Sequence, residues 1–241
     1  RGPLHSRPEL IPVTDRRAGN PTMSAEPSRG RFITLEGGEG AGKTTAMDAV
    51  ADELERSGRS VWRTREPGGT PAAEKIRARL LDPATGALDP MTELLLMFAA
   101  RRENVIGTIL PALQAGHDVV CDRFTEASHA YQGGGRRLGP GPVDALGELV
   151  HPDLRPDLVL VLDVPVEVGL ARIRKRGDAP DRFEADRADF LERVRAAYLA
   201  RAAAHPDRFV VIDAAQEPDA VRRDVLRAVR AAVPAEPGDG A

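Results

Sequence analysis

A glycine-rich loop near residue 40 carries the strongest chemical signal in this sequence. It reads G-x-x-x-x-G-K-T and runs through Gly37, Gly38, Glu39, Gly40, Ala41, Gly42, Lys43, Thr44 and Thr45. Glycines let backbone N–H groups converge on an anion at the start of a helix, where the helix dipole favours negative charge. In this pattern the lysine reaches the β- and γ-phosphates of a nucleotide, and the next hydroxyl binds Mg²⁺. The loop therefore predicts a polyphosphate site, with Lys43 on phosphate and Thr44 on the metal.

The residues on either side of the loop support this interpretation. A short apolar run at 32–35 precedes it and is typical of a strand. A helical pattern follows, with Val50 and Leu54 on its apolar face and Gly58 as its stop. The alternative, a glycine-rich surface turn, would need neither the strand nor the helix.

Further groups that can hold phosphate follow the next predicted strands. The sequence T-R-E-P-G-G-T at 64–70 forms a turn that holds Arg65 at the end of a strand, although such a sequence is also typical of a plain rigid turn. Asp122 closes another apolar run and is followed by Arg123. An acid at that place is suited to Mg²⁺ and an arginine fork to phosphate. The alternative is an ordinary surface ion pair.

Two helical segments add candidate residues. Ser128 and Gln132 are four residues apart and share a helix face. Met97, Phe98 and Arg101 give an apolar surface beside a cation, a pattern that is also common in a protein core.

A basic segment follows the fourth predicted strand. It contains Arg172, Arg174, Arg176 and Arg182 and runs into a Gly/Pro loop, so that a lid covers about 172–186. Cations on a closing loop would stabilise a phosphoryl group in transfer. The alternative is a solvated helix face.

Composition limits the class of protein. The 241 residues fit one α/β domain, and 34 basic against 37 acidic residues give a net charge of −3. No bulk basic field favours nucleic acid or a membrane as partner. The single cysteine, Cys121, excludes a disulfide within the chain, and no apolar run is long enough to span a bilayer. We expect a cytoplasmic protein.

Strand-like and helical runs alternate along the chain. Strands are expected at 31–36, 61–65, 117–122, 157–163 and 208–213, with the longest helices at 91–114 and 187–204. This alternation predicts a parallel sheet with helices on both faces and ligands at the carboxyl edge of the strands. The domain is expected at 30–233, with a disordered leader at 1–29 and a disordered tail at 234–241. Met23 is a candidate for the natural start.

Taken together, these motifs resemble the thymidylate kinases over about 32–215. The resemblance is carried by the glycine-rich loop, T-R-E-P-G-G-T at 64–70, D-R-F at 122–124, A-Y-Q-G at 130–133 and R-P-D at 155–157. It implies the reaction ATP + dTMP ⇌ ADP + dTDP, dependence on Mg²⁺, and a homodimer. It also implies the three-layer α/β P-loop NTPase fold, in which helices flank a five-stranded parallel sheet.

The resemblance also assigns roles to particular residues. Lys43, Thr44 and Asp122 would serve the ATP phosphates and Mg²⁺, and Glu36 would lie near the acceptor sugar and phosphate. The monophosphate would be held by Arg65, Arg77 and Arg123. The base would be read by Arg101, Ser128 and Gln132, with Tyr131 beneath the sugar. Arg176 is our candidate among the four lid arginines for the catalytic cation.

One position departs from the family pattern. Members often place Phe four residues before the base-reading arginine, whereas this chain has Met97 there and Phe98 next to it. A step of one residue turns a side chain by about 100° on a helix. Either side chain is therefore a candidate for the contact with thymine.

Two rival functions remain at this point. One is a kinase of another small molecule on the same sheet, which only the middle motifs argue against. The other is a GTPase switch, a class that usually carries an Asn/Thr-Lys-x-Asp guanine reader. No such sequence occurs in this chain.

Overall fold

Five parallel strands form the centre of the structure, which is a computed structural model that describes residues 29–176 and 188–233. Their order across the sheet is β2-β3-β1-β4-β5. The strands are β1 (Phe32–Gly37), β2 (Val61–Arg65), β3 (Asp118–Asp122), β4 (Leu158–Asp163) and β5 (Phe209–Asp213). Each lies within one residue of the bounds predicted from the sequence.

Helices cover both faces of the sheet. They are α1 (Lys43–Arg56), α2 (Pro71–Leu81), α3 (Pro90–Asn104), α4 (Leu110–Gln114), α5 (Thr125–Ser128), α6 (Gly141–Val150), α7 (Val166–Arg176), α8 (Ala188–Ala204) and α9 (Pro218–Ala232). One face packs against α1 and α9, with Val50 and Val225 in the shared core. The other packs Phe32 and Val119 against Ile109 and Leu113. The predicted three-layer α/β fold is confirmed.

Strand register brings the chemically important residues to one edge. Leu35 of β1 pairs with Asp122 of β3 on one side and Leu160 of β4 on the other, and Arg65 of β2 also pairs with Asp122. The glycine-rich loop leaves β1 at this same edge. The carboxyl ends of the three central strands therefore surround the start of α1, as expected for an open parallel sheet.

The long helix predicted at 91–114 is interrupted. After α3 the chain forms a π-helical turn at Val105–Ile109 and then continues as α4. Pro111 has no N–H to donate to the carbonyl four residues earlier, so the regular α-helical ladder cannot pass this point. A second π-helical segment, His129–Gly135, follows α5.

Several expectations concern residues beyond this description. The leader predicted at 1–29 lies outside the described residues except for Arg29, as do residues 177–186 of the lid predicted at 172–186 and the whole tail predicted at 234–241. Within the described part, no helix has the length and apolar character needed to cross a membrane.

Candidate active site

A cleft of about 230 Å³ opens at the carboxyl edge of the sheet beside the glycine-rich loop. Side chains from separate elements converge on it. Those important to the chemistry are Lys43, Arg77, Met97, Asp122, Arg123 and Gln132. Three of these are cations, so the cleft is suited to an anionic ligand with an uncharged portion.

The glycine-rich loop presents an open helix N-terminus to this cleft. Gly42 ends the loop in a left-handed conformation (φ 87°), and no side chain of the described residues caps α1. The first N–H groups of α1 are therefore not used by a cap and point where an anion would bind. Lys43 is buried, its Nζ donates to the carbonyl of Gly38 at 3.0 Å, and burial lowers its pKa.

Two facing glycines fix α7 against the loop. A Cβ on Gly40 would lie 2.3 Å from the carbonyl oxygen of Gly169, and one on Gly169 would lie 2.5 Å from that of Glu39. Both distances are impossible for real side chains, so the two backbones approach as only glycine permits. The helix that begins the predicted lid is thus in direct backbone contact with the phosphate loop.

Arg123 lies at the centre of a hydrogen-bonded network. Its backbone is left-handed (φ 69°), which is uncommon for arginine, and its N–H donates to the carbonyl of Leu35 at 2.9 Å. Its guanidinium donates to the carbonyl of Gly37 at 3.1 Å, to the Tyr198 hydroxyl at 3.2 Å, and to Glu39. It also lies 4.7 Å from the centre of the Tyr131 ring. These contacts hold one positive charge between the loop and the cleft.

Glu36 lies behind Arg123 and does not line the cleft. It is fully buried, its Oε1 accepts from the N–H of Phe124 at 2.8 Å, and its Oε2 accepts from the Tyr198 hydroxyl at 3.0 Å. Burial raises its pKa to about 8, against the opposing effect of Arg123. Glu36 therefore links the segment after β3 to α8 in this structure, and its contact with the acceptor sugar stays a prediction.

Asp122 and Thr44 both line the cleft and carry oxygen ligands. Oδ1 of Asp122 is buried and has no hydrogen-bond partner among the described residues. A carboxylate with an unused oxygen beside a hydroxyl fits Mg²⁺, which keeps several waters and binds through few protein groups plus substrate phosphates. In the described part of the chain no three acidic, histidine or cysteine side chains form an all-protein metal cage.

Two buried polar atoms near the cleft have no hydrogen-bond partner among the described residues. One is Nη1 of Arg101, which is not itself on the cleft wall but donates from Nε to the wall residue Glu66 at 2.6 Å and from Nη2 to the Ser128 hydroxyl at 3.0 Å. The other is Oε1 of Gln132, a wall residue whose Nε2 donates to Glu93 at 2.9 Å. Burying a polar atom unpaired costs about 1–3 kcal/mol. A donor and an acceptor that are unpaired within the described part of the chain therefore make this region a candidate binding site.

The structure brings Met97 to the cleft and leaves Phe98 in the core. Met97 lines the wall, whereas Phe98 packs with Leu94 and Val143 and stacks on His151 at 6.2 Å. Arg101 lies over the Phe98 ring at 4.3 Å. The one-residue step thus separates the two candidates, and Phe98 acts on the cleft only through Arg101.

The predicted phosphate-binding arginines lie in different environments. Arg77 lines the cleft and donates to the carbonyl of Pro67 at 2.8 Å. Arg65 is 54% exposed, pairs with Glu74 at 2.9 Å and does not line the cleft. Ser128 is also absent from the wall and supports Arg101 from behind.

Sequence reasoning missed three supporting residues. Glu66 lies in a sequence interpreted as a turn, yet its carboxylate holds Arg101 and accepts from Asn104. Glu93 accepts a hydrogen bond from Gln132. Sequence reasoning could have found it, because it is an acidic residue on an otherwise buried helix face. Tyr198 joins Glu36 to Arg123 from α8, and nothing in its apolar surroundings distinguishes it from a core residue.

A second cavity, of about 520 Å³, lies on the opposite side of the glycine-rich loop. Its walls come from the loop, α7 and the start of α9, and they include Gly42, Thr45, Arg172, Gln216 and Val221. Arg172 donates to the carbonyl of Ala214 at 2.8 Å. Of the other predicted lid residues, Arg174 is an exposed residue of α7. Arg182 and the side chain of Arg176 lie outside the described residues.

Comparisons with known proteins show which family this chain resembles. A family model described as thymidylate kinase matches residues 35–225. The thymidylate kinase of Alkalilimnicola ehrlichii is 54% identical over 206 residues, which cover 86% of this chain and 95% of that protein. One from Pseudomonas putida is 54% identical over 196 residues, covering 81% and 93%. A crystal structure of thymidylate kinase from Ehrlichia chaffeensis superposes with a TM-score of 0.68 at 32% identity, covering 84% of this chain and 99% of that one.

Proposed function

This chain belongs to the thymidylate kinase family, and from that premise we propose that it transfers the γ-phosphoryl group of ATP to dTMP in the cleft beside the glycine-rich loop. In this reaction the bond between the γ-phosphorus and its bridging oxygen breaks, and a bond to a phosphate oxygen of dTMP forms. That acceptor oxygen is ionised at neutral pH, so no general base is needed. The position of Glu36, away from the cleft, agrees with a reaction of this kind.

Two buried atoms, on Arg101 and on the cleft residue Gln132, carry the proposal. Thymine presents a carbonyl acceptor at C4 next to an N–H donor at N3. Within the described part of the chain, Nη1 of Arg101 is a donor without a partner and Oε1 of Gln132 an acceptor without one. A thymine edge would satisfy both atoms at once, with Met97 against the ring. We assign base recognition to these residues and a supporting role to Ser128.

The acceptor phosphate would lie between this base site and the loop. Arg77 and Arg123 are the two arginines of the cleft wall among the described residues, and each donates to a backbone carbonyl. Arg65 would have to leave Glu74 to join them. The Tyr131 ring, over which Arg123 lies, would face the sugar and disfavour a 2′-hydroxyl.

ATP would approach from the other side of the loop. Its triphosphate would follow the N–H groups of residues 37–45 with Lys43 on the transferred group, and its adenosine would occupy the second cavity. Thr44 and Asp122 would hold Mg²⁺, which screens the repulsion between the two anionic substrates. Donor and acceptor would then meet end to end across Lys43, with a lid arginine, Arg176 in our assignment, completing the site.

We further propose that the protein is a homodimer and works in the cytoplasm, where ATP is available. An apolar surface that would otherwise face water supports the dimer. On α3, Met91 and Leu95 are 37% and 50% exposed, and Ile106 just beyond is 48% exposed. Leu149 of α6 is 76% exposed, and Arg102 ties the two helices together by donating to the carbonyl of Val150 at 2.7 Å. A second copy would cover these exposed apolar side chains of α3 and α6.

Steady-state kinetics with a panel of nucleotides tests the proposed activity. The protein is assayed with Mg-ATP and dTMP, dUMP, CMP or AMP, following ADP release. We expect the highest kcat/KM for dTMP, and about 10- to 200-fold less for dUMP, because one methyl group in an apolar pocket is worth that much. EDTA should stop turnover and added Mg²⁺ restore it. Preferential phosphorylation of CMP or AMP would overturn the proposal.

A further inference from the structure

Glu93 lies directly behind the base-reading end of the cleft. It is completely buried on α3, and its Oε1 accepts from Nε2 of Gln132 at 2.9 Å. Nε of Arg136 lies 3.4 Å from the same oxygen and balances the charge. Glu93 does not line the cleft, but its partner Gln132 does, so Gln132 connects Glu93 to a bound ligand.

The chemistry of this contact fixes the orientation of the Gln132 amide. A primary amide can present either its oxygen or its NH₂ group to a ligand, and the two orientations have nearly the same shape. An ionised carboxylate only accepts hydrogen bonds. With Glu93 on one side, the NH₂ group of Gln132 must face Glu93. The oxygen, which has no partner among the described residues, is left toward the cleft.

We propose that Glu93 is a positioning residue that sets base specificity by fixing Gln132 as a hydrogen-bond acceptor. This inference rests on the proposed function, since it concerns the same base site. Thymine and uracil have a donor, N3–H, at the position that Gln132 reads, whereas cytosine has an acceptor there. The Oε1 of Gln132 therefore bonds to the first two bases and repels the third. Discrimination against cytosine arises in part from a carboxylate that does not touch the base.

The substitution Glu93→Gln separates this role from simple support. A glutamine at position 93 can donate as well as accept, so the Gln132 amide becomes free to turn its NH₂ group toward the cleft. The ligands compared are dTMP, dUMP and 5-methyl-dCMP. 5-Methyl-dCMP differs from dTMP only at N3 and C4. The effect of Arg101 on the group at C4 is the same in the unmodified protein and in E93Q, so it cancels when the two proteins are compared.

The measurement is the dissociation constant of each ligand by competition titration, together with kcat/KM. For E93Q we expect the preference for dTMP over 5-methyl-dCMP to fall at least about tenfold, because Gln132 can then turn its NH₂ group toward the acceptor N3 of 5-methyl-cytosine. The preference for dTMP over dUMP should stay as in the unmodified protein, since both share N3–H. A structural defect alone would weaken all three ligands alike and leave both ratios unchanged.

The matched control is Glu126→Gln. Glu126 is also a buried carboxylate paired with an arginine, since it accepts from Arg201 at 2.7 and 3.0 Å, but it is not on the wall of the cleft or in contact with Gln132. Neither ratio should change in that variant. An equal change there would assign the effect to the loss of a buried charge and overturn the inference.

The reciprocal swap E93Q/Q132E keeps the proposal testable if E93Q does not fold. The pair keeps its volume and its hydrogen bond, with Nε2 now on residue 93, and residue 132 again offers only an acceptor. We expect the preference for dTMP over 5-methyl-dCMP to be restored. If the unmodified protein does not phosphorylate dTMP, the proposed function fails and the inference with it. If it does, and E93Q keeps its ratio or the swap fails to restore it, the inference alone is overturned.

Discussion

Glu36 makes the stability of this fold depend on pH in a direction opposite to that of most carboxylates. Its folded pKa is about 8, and its ordinary value is 4.5. Between these values the folded protein holds a proton that the unfolded chain has released. The folded state then binds more protons than the unfolded state, so the free energy of unfolding falls as pH rises through this window.

The structure sets the magnitude. One pH unit within the window is worth at most about 1.4 kcal/mol, so the full range from 4.5 to about 8 gives an upper limit of about 5 kcal/mol. The substitution Glu36→Gln mimics the protonated form, and its amide oxygen can still accept from Phe124. We therefore expect the variant to be at least as stable as the unmodified protein at pH 7.5, and to have lost this pH dependence.

Urea unfolding at pH 6.5 and 7.5 measures the effect. Between these values the unmodified protein should lose about 1 kcal/mol relative to E36Q. Burial lowers the pKa values of His129 and His151 to about 4, so these residues raise the free energy of unfolding as pH rises from 4 to 6.5. This contribution is common to both proteins and cancels in the comparison. Glu167→Gln, on the exposed surface of α7, is the control and should behave as the unmodified protein. Parallel stabilities of E36Q and the unmodified protein at both pH values would refute the reasoning.

Two further predictions concern catalysis and assembly. Lys43→Ala should lower kcat at least about 100-fold, because a cation at the transferred phosphate acts mainly on the transition state. Circular dichroism and the melting temperature should show that the variant is folded. The control is Lys75→Ala at an exposed position, and near-normal turnover of K43A would contradict the role given to Lys43. Leu95→Glu should shift the protein to monomers in sedimentation velocity, since it places a charge in the proposed apolar interface. The control is Trp62→Glu, at a similarly exposed apolar position on β2, which should leave the dimer intact. An unchanged dimer in L95E would exclude this surface as the interface.

The sequence predicted the centre of the sheet well because the strands β1, β3 and β4 are buried on both faces. Continuous apolar runs such as the one in β4 are typical of strands in the middle of a parallel sheet. The glycine-rich loop and Asp122 were located for the same reason, since each directly follows such a run. The carboxyl edge of the sheet then brings them together without further information.

What the sequence did not predict depends on side-chain partners distant along the chain. Pairs such as Glu66 with Arg101 and Glu93 with Gln132 join residues 35 and 39 positions apart, and no local period reports them. The hydrogen bond that Glu36 accepts from Tyr198 was not predicted for the same reason, since the two residues are 162 positions apart in the sequence. The π-helical turns were also missed. Only Pro111 hinted at the first of them.

The backbone contact between Gly40 and Gly169 means that the helix leading into the lid takes its position from the phosphate loop and not from the sheet alone. A shift of this loop, including one that accompanies the binding of an anion, would be passed to the base of α7 through this contact. The distance between the basic side chains further along α7 and the bound phosphates would then depend on how those phosphates position the loop. A methyl group at either glycine would break this alignment while leaving every charged side chain of the site in place.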